Sequence, residues 1–183
     1  MGTRRSADLE FAILGLLSSG PLHGYELRKR LDLLLGPLRA VSYGSLYPTL
    51  RALQARELIR ESAPARQGLG SRRSRIEYEL TDAGADYFAE LASVAGPDAW
   101  NDDMFVTHMA FFGHTPRPVR LRILEGRRAR VEERLALLRT RIEQAEHRTD
   151  SYVLLLQQYR VETLEREVRW LTDLLDRERA HAG

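Results

Sequence analysis

The most constraining feature of this sequence is one short strand-like stretch in a chain whose other apolar residues follow helical spacing. In this stretch three apolar residues alternate with two acids: Ile76, Glu77, Tyr78, Glu79 and Leu80. Such alternation is typical of a β-strand with one buried face. A connection rich in Gly, Ser and Arg separates it from a second apolar pair at 58–59. The pattern predicts a β-hairpin with a long tip, in a mainly α-helical protein with one small two-stranded sheet.

Helical segments precede and follow this hairpin. The first has one apolar face, and we expect it to begin near Ser6 or Asp8, either of which can cap a helix. The second is expected from about Gly24 to the Gly-Pro stop signal at 36–37. After the hairpin, Thr81 is the predicted N-cap of a further helix.

The third helix has two chemically different sides. Its apolar side is formed by Leu46, Leu50 and Leu53. Its opposite side carries Gly44, Pro48, Arg51 and Ala55. Because proline is tolerated in the first turn but not in a helix interior, Pro48 predicts that the regular helix begins nearer Ser45 than Ser42.

Two long helical patterns fill the last third of the chain, the second after a cap signal at 149–151. The first seam consists of Val131, Leu135, Leu138, Ile142 and Ala145, and the second of Val161, Leu164, Val168, Leu171 and Leu175. Their alternating spacings of three and four are typical of helices packed side by side. We therefore predict a first domain at 1–95, an aromatic connecting segment at 96–117 and a helical domain at 118–183.

The composition excludes several classes of protein. With 183 residues, 43% of them hydrophobic, the chain can bury a core. It has no cysteine, so disulfides, thiolate nucleophiles and cysteine-bound metals are impossible. No apolar run suits a signal peptide or a membrane helix, which favours a cytoplasmic protein without a membrane partner. The scattered histidines lack paired ligand spacing, and we see no catalytic constellation, so we expect neither metal, cofactor nor enzymatic activity.

Three separated strings resemble the PadR family of bacterial regulators. They are HGYEL at 23–27, VSYGSLYPTL at 41–50 and YELTDAG at 78–84. The resemblance covers roughly residues 8–90 and implies a winged helix-turn-helix domain whose third helix enters the DNA major groove. The chain departs from the family pattern at Glu57, where the family usually has glycine before Leu-Ile.

The resemblance and the side-chain chemistry together indicate a DNA-binding surface. At the third helix the candidates are Ser42, Tyr43, Gly44, Ser45, Tyr47, Pro48 and Arg51, and at the hairpin tip they are Arg72, Arg73 and Arg75. Hydroxyls near a helix N-terminus suit phosphate, and Arg51 is the best candidate for a base edge. The alternatives are that Ser42 and Ser45 only cap the helix, that Tyr47 packs under the wing, and that the tip arginines are merely solvated.

The connecting segment contains a cluster of large side chains that can line an effector pocket: Trp100, Phe105, His108, Met109 and Phe112. PadR-like proteins often respond to small aromatic or drug-like compounds. The resemblance thus implies a sequence-specific repressor that such an effector releases from DNA. The alternative for this cluster is ordinary core.

The seam of the last helix, at 161–175, predicts a homodimer that reads a palindromic double-stranded operator. The alternative is that the two long helices pack only on each other within one subunit. A rival function is a helical adaptor that acts through protein contacts alone. This function would not account for the hairpin or for the VSYGSLYPTL string at 41–50.

Overall fold

Two units make up the protein in this computed structural model, which describes residues 2–36, 41–62, 76–145 and 150–180, with the side chains of 2–5 and 145 left aside. The first unit comprises Met1–Val94 and Asp102–Thr115, and the second Ala95–Asn101 and Pro116–Gly183. Along the described residues the order is α1 (Gly2–Leu17), β1 (Leu22–His23), α2 (Gly24–Leu35), α3 (Tyr43–Ala55), β2 (Ile59–Ser62), β3 (Glu77–Leu80), α4 (Asp82–Ala92), α5 (Phe105–Ala110), a 3-10 turn (Phe112–His114), α6 (Arg117–Ala145) and α7 (Ser151–Ala180). The mainly helical fold with a small antiparallel sheet confirms the predicted fold class.

The sheet has three strands in the order β1-β3-β2, all antiparallel. Ile59 lies opposite Leu80 and Glu61 opposite Tyr78, so the predicted hairpin of β2 and β3 is confirmed. The additional strand β1 pairs Leu22 with Tyr78 on the other edge of β3. Two residues are too few to show a period of two, which is why the sequence predicted only the two-stranded wing.

The core of the first unit is built from the apolar faces of its helices. The stripe of α3 is fully buried, as predicted, together with Phe11, Ile13 and Leu14 of α1 and Leu27 and Leu31 of α2. The segment after residue 101 completes this core. The ring of Phe111 packs against Phe11 and Phe88 and approaches Gly15 so closely that a Cβ there would lie 2.4 Å from it.

The expected start of α1 at Ser6 or Asp8 is wrong, because the helix begins at Gly2. Asp8 lies inside the helix, 1% exposed, and accepts a hydrogen bond from the hydroxyl of Thr107 in α5. A buried carboxylate requires such partners, so its polarity reflects a distant contact and not a helix end.

The expected start of α3 near Ser45 is also wrong. Ser42 is the N-cap, and its Oγ accepts from the backbone N–H of Ser45 at 3.2 Å. Pro48 therefore lies inside the helix on its exposed side. The carbonyl that its missing N–H would have bonded, that of Gly44, is on an exposed residue, where water can replace the lost partner.

The turn from α3 into β2 depends on a left-handed residue. Glu57 has φ 57°, a conformation that glycine adopts without strain. It allows the N–H of Leu58 to donate to the carbonyl of Leu53 at 3.0 Å, as in a Schellman cap. The Thr81 hydroxyl donates to the Glu57 carbonyl at 2.7 Å and accepts from the N–H of Gly84 at 3.0 Å, so the predicted cap of α4 is confirmed.

In the second unit α6 and α7 pack along each other. The Oδ1 of Asp150 accepts from the N–H of Tyr152 at 2.8 Å, confirming the cap predicted before α7. The buried guanidinium of Arg127 donates to Glu167 of α7 at 2.6 Å and to the carbonyl of Trp100 at 3.4 Å. The indole of Trp100 lies on Gly126, where a Cβ would come within 2.4 Å of the ring. Among the described helices, none combines the length and apolarity needed to cross a bilayer.

Candidate nucleic-acid interface

The exposed side of α3 is the surface on which the sequence placed DNA contacts. Of the candidates there, Tyr47 is half-buried and the others are exposed: Ser42, Tyr43, Gly44, Ser45, Pro48 and Arg51. The division arises because the three leucines on the opposite side are withdrawn into the core. The helix thus presents hydroxyl, phenol and guanidinium groups on its exposed side.

The first turn of α3 carries two stacked aromatic rings. The centroids of Tyr43 and Tyr47 are 5.9 Å apart and the ring planes differ by 19°. Tyr47 reaches toward the start of α2, where a Cβ on Gly24 would lie 3.5 Å from its hydroxyl oxygen. Tyr47 therefore has a packing role in addition to any contact with a ligand, whereas 45% of Tyr43 is exposed.

The N-cap hydroxyls are engaged in local hydrogen bonds. Besides the cap bond of Ser42, the hydroxyl of Ser45 donates to the Ser42 carbonyl at 2.9 Å. Capping is therefore part of their role. The hydroxyl oxygens of Ser42 and Ser45 also lie 3.1 Å apart, within hydrogen-bond distance. Each hydroxyl has a single donor hydrogen, and a phosphate only accepts, so a phosphate contact would require a hydroxyl to give up its present bond.

Arg51 lies near the hydroxyl of Tyr78, a buried residue of β3. Burial is the main cause that raises the pKa of Tyr78; the charge of Glu61 adds to the increase and that of Arg51 opposes it. The guanidinium is nevertheless on an exposed residue. Arg51 is thus an exposed cation on α3.

The sequence places arginines at the base of the hairpin and at its tip. At the base, Arg60 of β2 pairs with Glu79 of β3 at 2.6 Å, which neutralises its charge. The predicted tip contacts Arg72, Arg73 and Arg75 lie outside the described residues. They remain predictions.

Comparison with known protein families finds a match within the first unit. Residues 13–90 match the model of the transcriptional regulator PadR-like family, from within α1 to within α4. This part of the chain is a PadR-like domain. The match confirms the resemblance of the three sequence strings. None of the curated proteins matches the chain.

Solved PadR structures match most of the length of this chain. Bacillus subtilis PadR in complex with operator DNA is 22% identical, covering 93% of this chain and 98% of that one with a TM-score of 0.45. The same protein in complex with p-coumaric acid is 21% identical, with coverages of 93% and 98% and a TM-score of 0.43. A PadR-like transcriptional regulator from Bacillus cereus is 19% identical, with coverages of 94% and 99% and a TM-score of 0.41.

The candidate effector residues fall in both units. Phe105 and His108 are buried in the first unit, and the imidazole of His108 lies 4.7 Å from the ring of Phe11. Burial lowers the pKa of His108 to about 4. Met109 and Phe112 are half-buried in the same unit, whereas Trp100 belongs to the second. Over the described ranges, no group of three or more potential metal ligands occurs.

The candidate dimer seam on α7 faces the interior of its own chain over part of its length. Leu171 and Leu175 are fully buried, while Val161, Leu164 and Val168 are half-buried. Sequence reasoning missed a second set of α7 residues that leaves 43–80% of each side chain exposed: Tyr152, Val153, Leu155, Leu156, Tyr159 and Trp170. The sequence carries only a partial signal for this set. Tyr152, Leu156 and Tyr159 follow spacings of four and three, but Thr163 and Arg166 interrupt the repeat before Trp170.

Proposed function

We propose that this PadR-like protein is a homodimeric repressor that reads a palindromic operator with the exposed side of α3. The observation that supports this most is the amphipathic division of α3, with a buried leucine stripe behind an exposed face of hydroxyl, phenol and guanidinium groups. Backbone and side-chain donors at the start of the helix suit phosphates, and Arg51 suits the O6 and N7 acceptors of guanine. The tip residues Arg72, Arg73 and Arg75 would neutralise flanking phosphates.

We further propose that α7 carries the dimer contact. A winged helix reads one half-site, so a palindrome requires a second copy. The exposed apolar residues of α7 form a second face, which we call the outward stripe: Tyr152, Val153, Leu155, Leu156, Tyr159 and Trp170. The outward stripe is a more accessible docking face than the seam, because its large apolar residues are already exposed to solvent. The half-buried seam residues Val161, Leu164 and Val168 would border this contact.

The effector proposal concerns the release of DNA by a small aromatic compound bound near Trp100, Phe105, His108, Met109 and Phe112. Its support is the family to which the domain belongs and the aromatic character of the segment. We also propose that the protein acts in the cytoplasm, where its operator would lie. Titration with p-coumaric acid in a Trp170→Phe background tests the site. Quenching of Trp100 should be accompanied by weaker DNA binding. Operator DNA should then weaken binding of the compound by the same factor, because coupling between two ligands is reciprocal.

The DNA-binding proposal is tested with duplexes selected from random DNA by the wild-type protein. Arg51→Ala should weaken binding by about 1–3 kcal/mol if it contacts a base, whereas Arg130→Ala, at an exposed position of α6, should not. Affinity should fall steeply with salt. If no selected duplex binds in a salt-dependent manner, the helical adaptor is the better function.

The dimer proposal is tested by placing a carboxylate in the outward stripe. Leu156→Asp and Tyr159→Asp change exposed residues, so the single chain should remain folded while the partner contact loses several kcal/mol. Light scattering should then report the mass of one chain. Leu33→Asp, at a residue 87% exposed on α2, is the matched control and should leave the mass unchanged. A dimer that survives both α7 substitutions would place the interface elsewhere.

A further inference from the structure

Two side chains of α2 form hydrogen bonds with the backbone of Val41, the residue that precedes the Ser42 cap of α3. The N–H of Val41 donates to Oδ1 of Asp32 at 2.8 Å, and the carbonyl of Val41 accepts from Nε of Arg28 at 3.1 Å. Arg28 and Asp32 are four residues apart on one helix face, and they approach each other to 3.7 Å. Both polar groups of one peptide residue are thus held by a single ion pair.

Arg28 makes a second contact with the start of α3. Its guanidinium carbon lies 4.2 Å from the centroid of the Tyr43 ring. Tyr43 in turn stacks on Tyr47, so Arg28 and the two tyrosines form one continuous stack. A guanidinium can donate from its edge to Val41 while its flat face covers a ring, whereas an ammonium group is a compact charge without a flat face.

We propose that Arg28 is a positioning residue for operator recognition, which acts through Val41 and Tyr43 and not through DNA. The paired bonds to Val41 fix where the backbone enters the Ser42 cap. The stack on Tyr43 fixes the orientation of a ring that is exposed beside that cap. Together these contacts fix the position of the first turn of α3 in the free protein. Less conformational entropy is then lost when DNA binds, which makes the free energy of binding more favourable. This inference rests on the proposed role of α3 in reading DNA.

The alternative is that Arg28 itself neutralises a phosphate, and charge-preserving variants distinguish the two. Arg28→Lys keeps the charge but loses the planar face and the Nε bond. If Arg28 positions α3, Arg28→Lys and Arg28→Gln should both bind the selected duplex about tenfold more weakly, with non-specific affinity and the salt slope unchanged. If it contacts phosphate, Arg28→Lys should bind like wild type and Arg28→Gln should reduce the salt slope by about one, which would overturn the proposal.

A double-mutant cycle tests whether the effect passes through Tyr43. The loss in Arg28→Lys/Tyr43→Leu should be smaller than the product of the two single losses; losses that multiply would contradict the proposal. Asp32→Asn keeps an oxygen acceptor for the Val41 N–H and should retain affinity that Asp32→Ala loses. Equal binding by these two variants would count against the hydrogen bonds to Val41.

All titrations are made at a temperature at which circular dichroism shows every variant folded, so that a change in stability alone leaves affinity unaltered. Arg51→Ala is included as a reference. If Arg51→Ala weakens binding and the Arg28 variants do not, only the positioning role is refuted. If Arg51→Ala also binds like wild type, the proposed role of α3 fails, and the positioning role fails with it.

Discussion

Glu57→Gly is expected to stabilise the protein, although it removes a side chain. Glu57 is the residue after the end of α3 that adopts φ 57°, and it is the position at which the chain departs from the PadR pattern. An L-residue in this region brings its Cβ close to the following carbonyl oxygen, and glycine has no Cβ. The bonds around the turn use only the backbone N–H and carbonyl of residue 57, so glycine can make them as well.

The expected gain is the difference between two opposing effects. Relief of the left-handed conformation is worth about 1–2 kcal/mol. Glycine also gives the unfolded chain more freedom, which offsets about 0.5–1 kcal/mol. The exposed side chain of Glu57 contributes little burial. We therefore expect the free energy of unfolding to increase by up to about 1.5 kcal/mol, and the middle of this range, about 0.75 kcal/mol, corresponds to about 1.5–3 °C in Tm for a chain of this length.

Urea unfolding followed by far-UV circular dichroism measures this difference as a shift of the midpoint at unchanged slope. Glu90→Gly is the matched control, because Glu90 is an exposed glutamate in regular helical conformation within α4 of the same unit. Glycine in a helix is less favourable than glutamate, so this variant should lose somewhat less than about 1 kcal/mol.

A backbone effect therefore predicts that the free energy of unfolding increases in Glu57→Gly and decreases in Glu90→Gly. If Glu57→Gly destabilises the protein as Glu90→Gly does, the strain assigned to the left-handed residue is absent and the reasoning is refuted. Glu57→Asn should fall between wild type and glycine, because asparagine tolerates this region better than glutamate.

Three further substitutions give sharp expectations. Gly84→Ala should lower stability by about 3 kcal/mol in urea unfolding, because its Cβ would lie 1.9 Å from the backbone oxygen of Leu58; an unchanged midpoint would contradict the close approach. Gly126→Ala should displace the indole of Trp100 and shift its fluorescence to longer wavelength in a Trp170→Phe background, and an unaltered spectrum would count against the packing. Because burial lowers the pKa of His108 to about 4, the unfolded chain takes up this proton near pH 6.5 and the folded chain only near pH 4. Stability should therefore fall by about 3 kcal/mol across that interval as the pH decreases, and His108→Gln should lose this dependence if the histidine causes it.

The features that could be predicted from the sequence depend on short-range patterns. The buried stripe of α3 follows from leucines at spacings of four and three, and the α4 cap follows from the local bond between Thr81 and Gly84. The exposed face of α3 was predictable for the same reason, because the side opposite a buried stripe must face outward.

The features that could not be predicted depend on partners far away in the chain. Asp8 looks like a helix cap until its partner Thr107, 99 residues later, is brought beside it. Strand β1 exists only because Tyr78 supplies a pairing edge for Leu22. The start of α3 was predicted wrongly for a local reason. Pro48 indicated a start near Ser45, whereas the helix begins after the Ser42 cap, because a proline on the solvent side removes a bond that water can replace.

The chain leaves the first unit after Val94 and returns to it at Asp102. This limits how the PadR-like domain can be transferred to another protein. A fragment ending after Val94 would keep α1 to α4 but lose 102–115, which belongs to the same unit. It would expose the cavity above Gly15 that Phe111 fills, and leave the Asp8 carboxylate without the Thr107 hydroxyl. Fusion proteins that borrow this domain should therefore continue through Thr115 and include the intervening residues Ala95–Asn101.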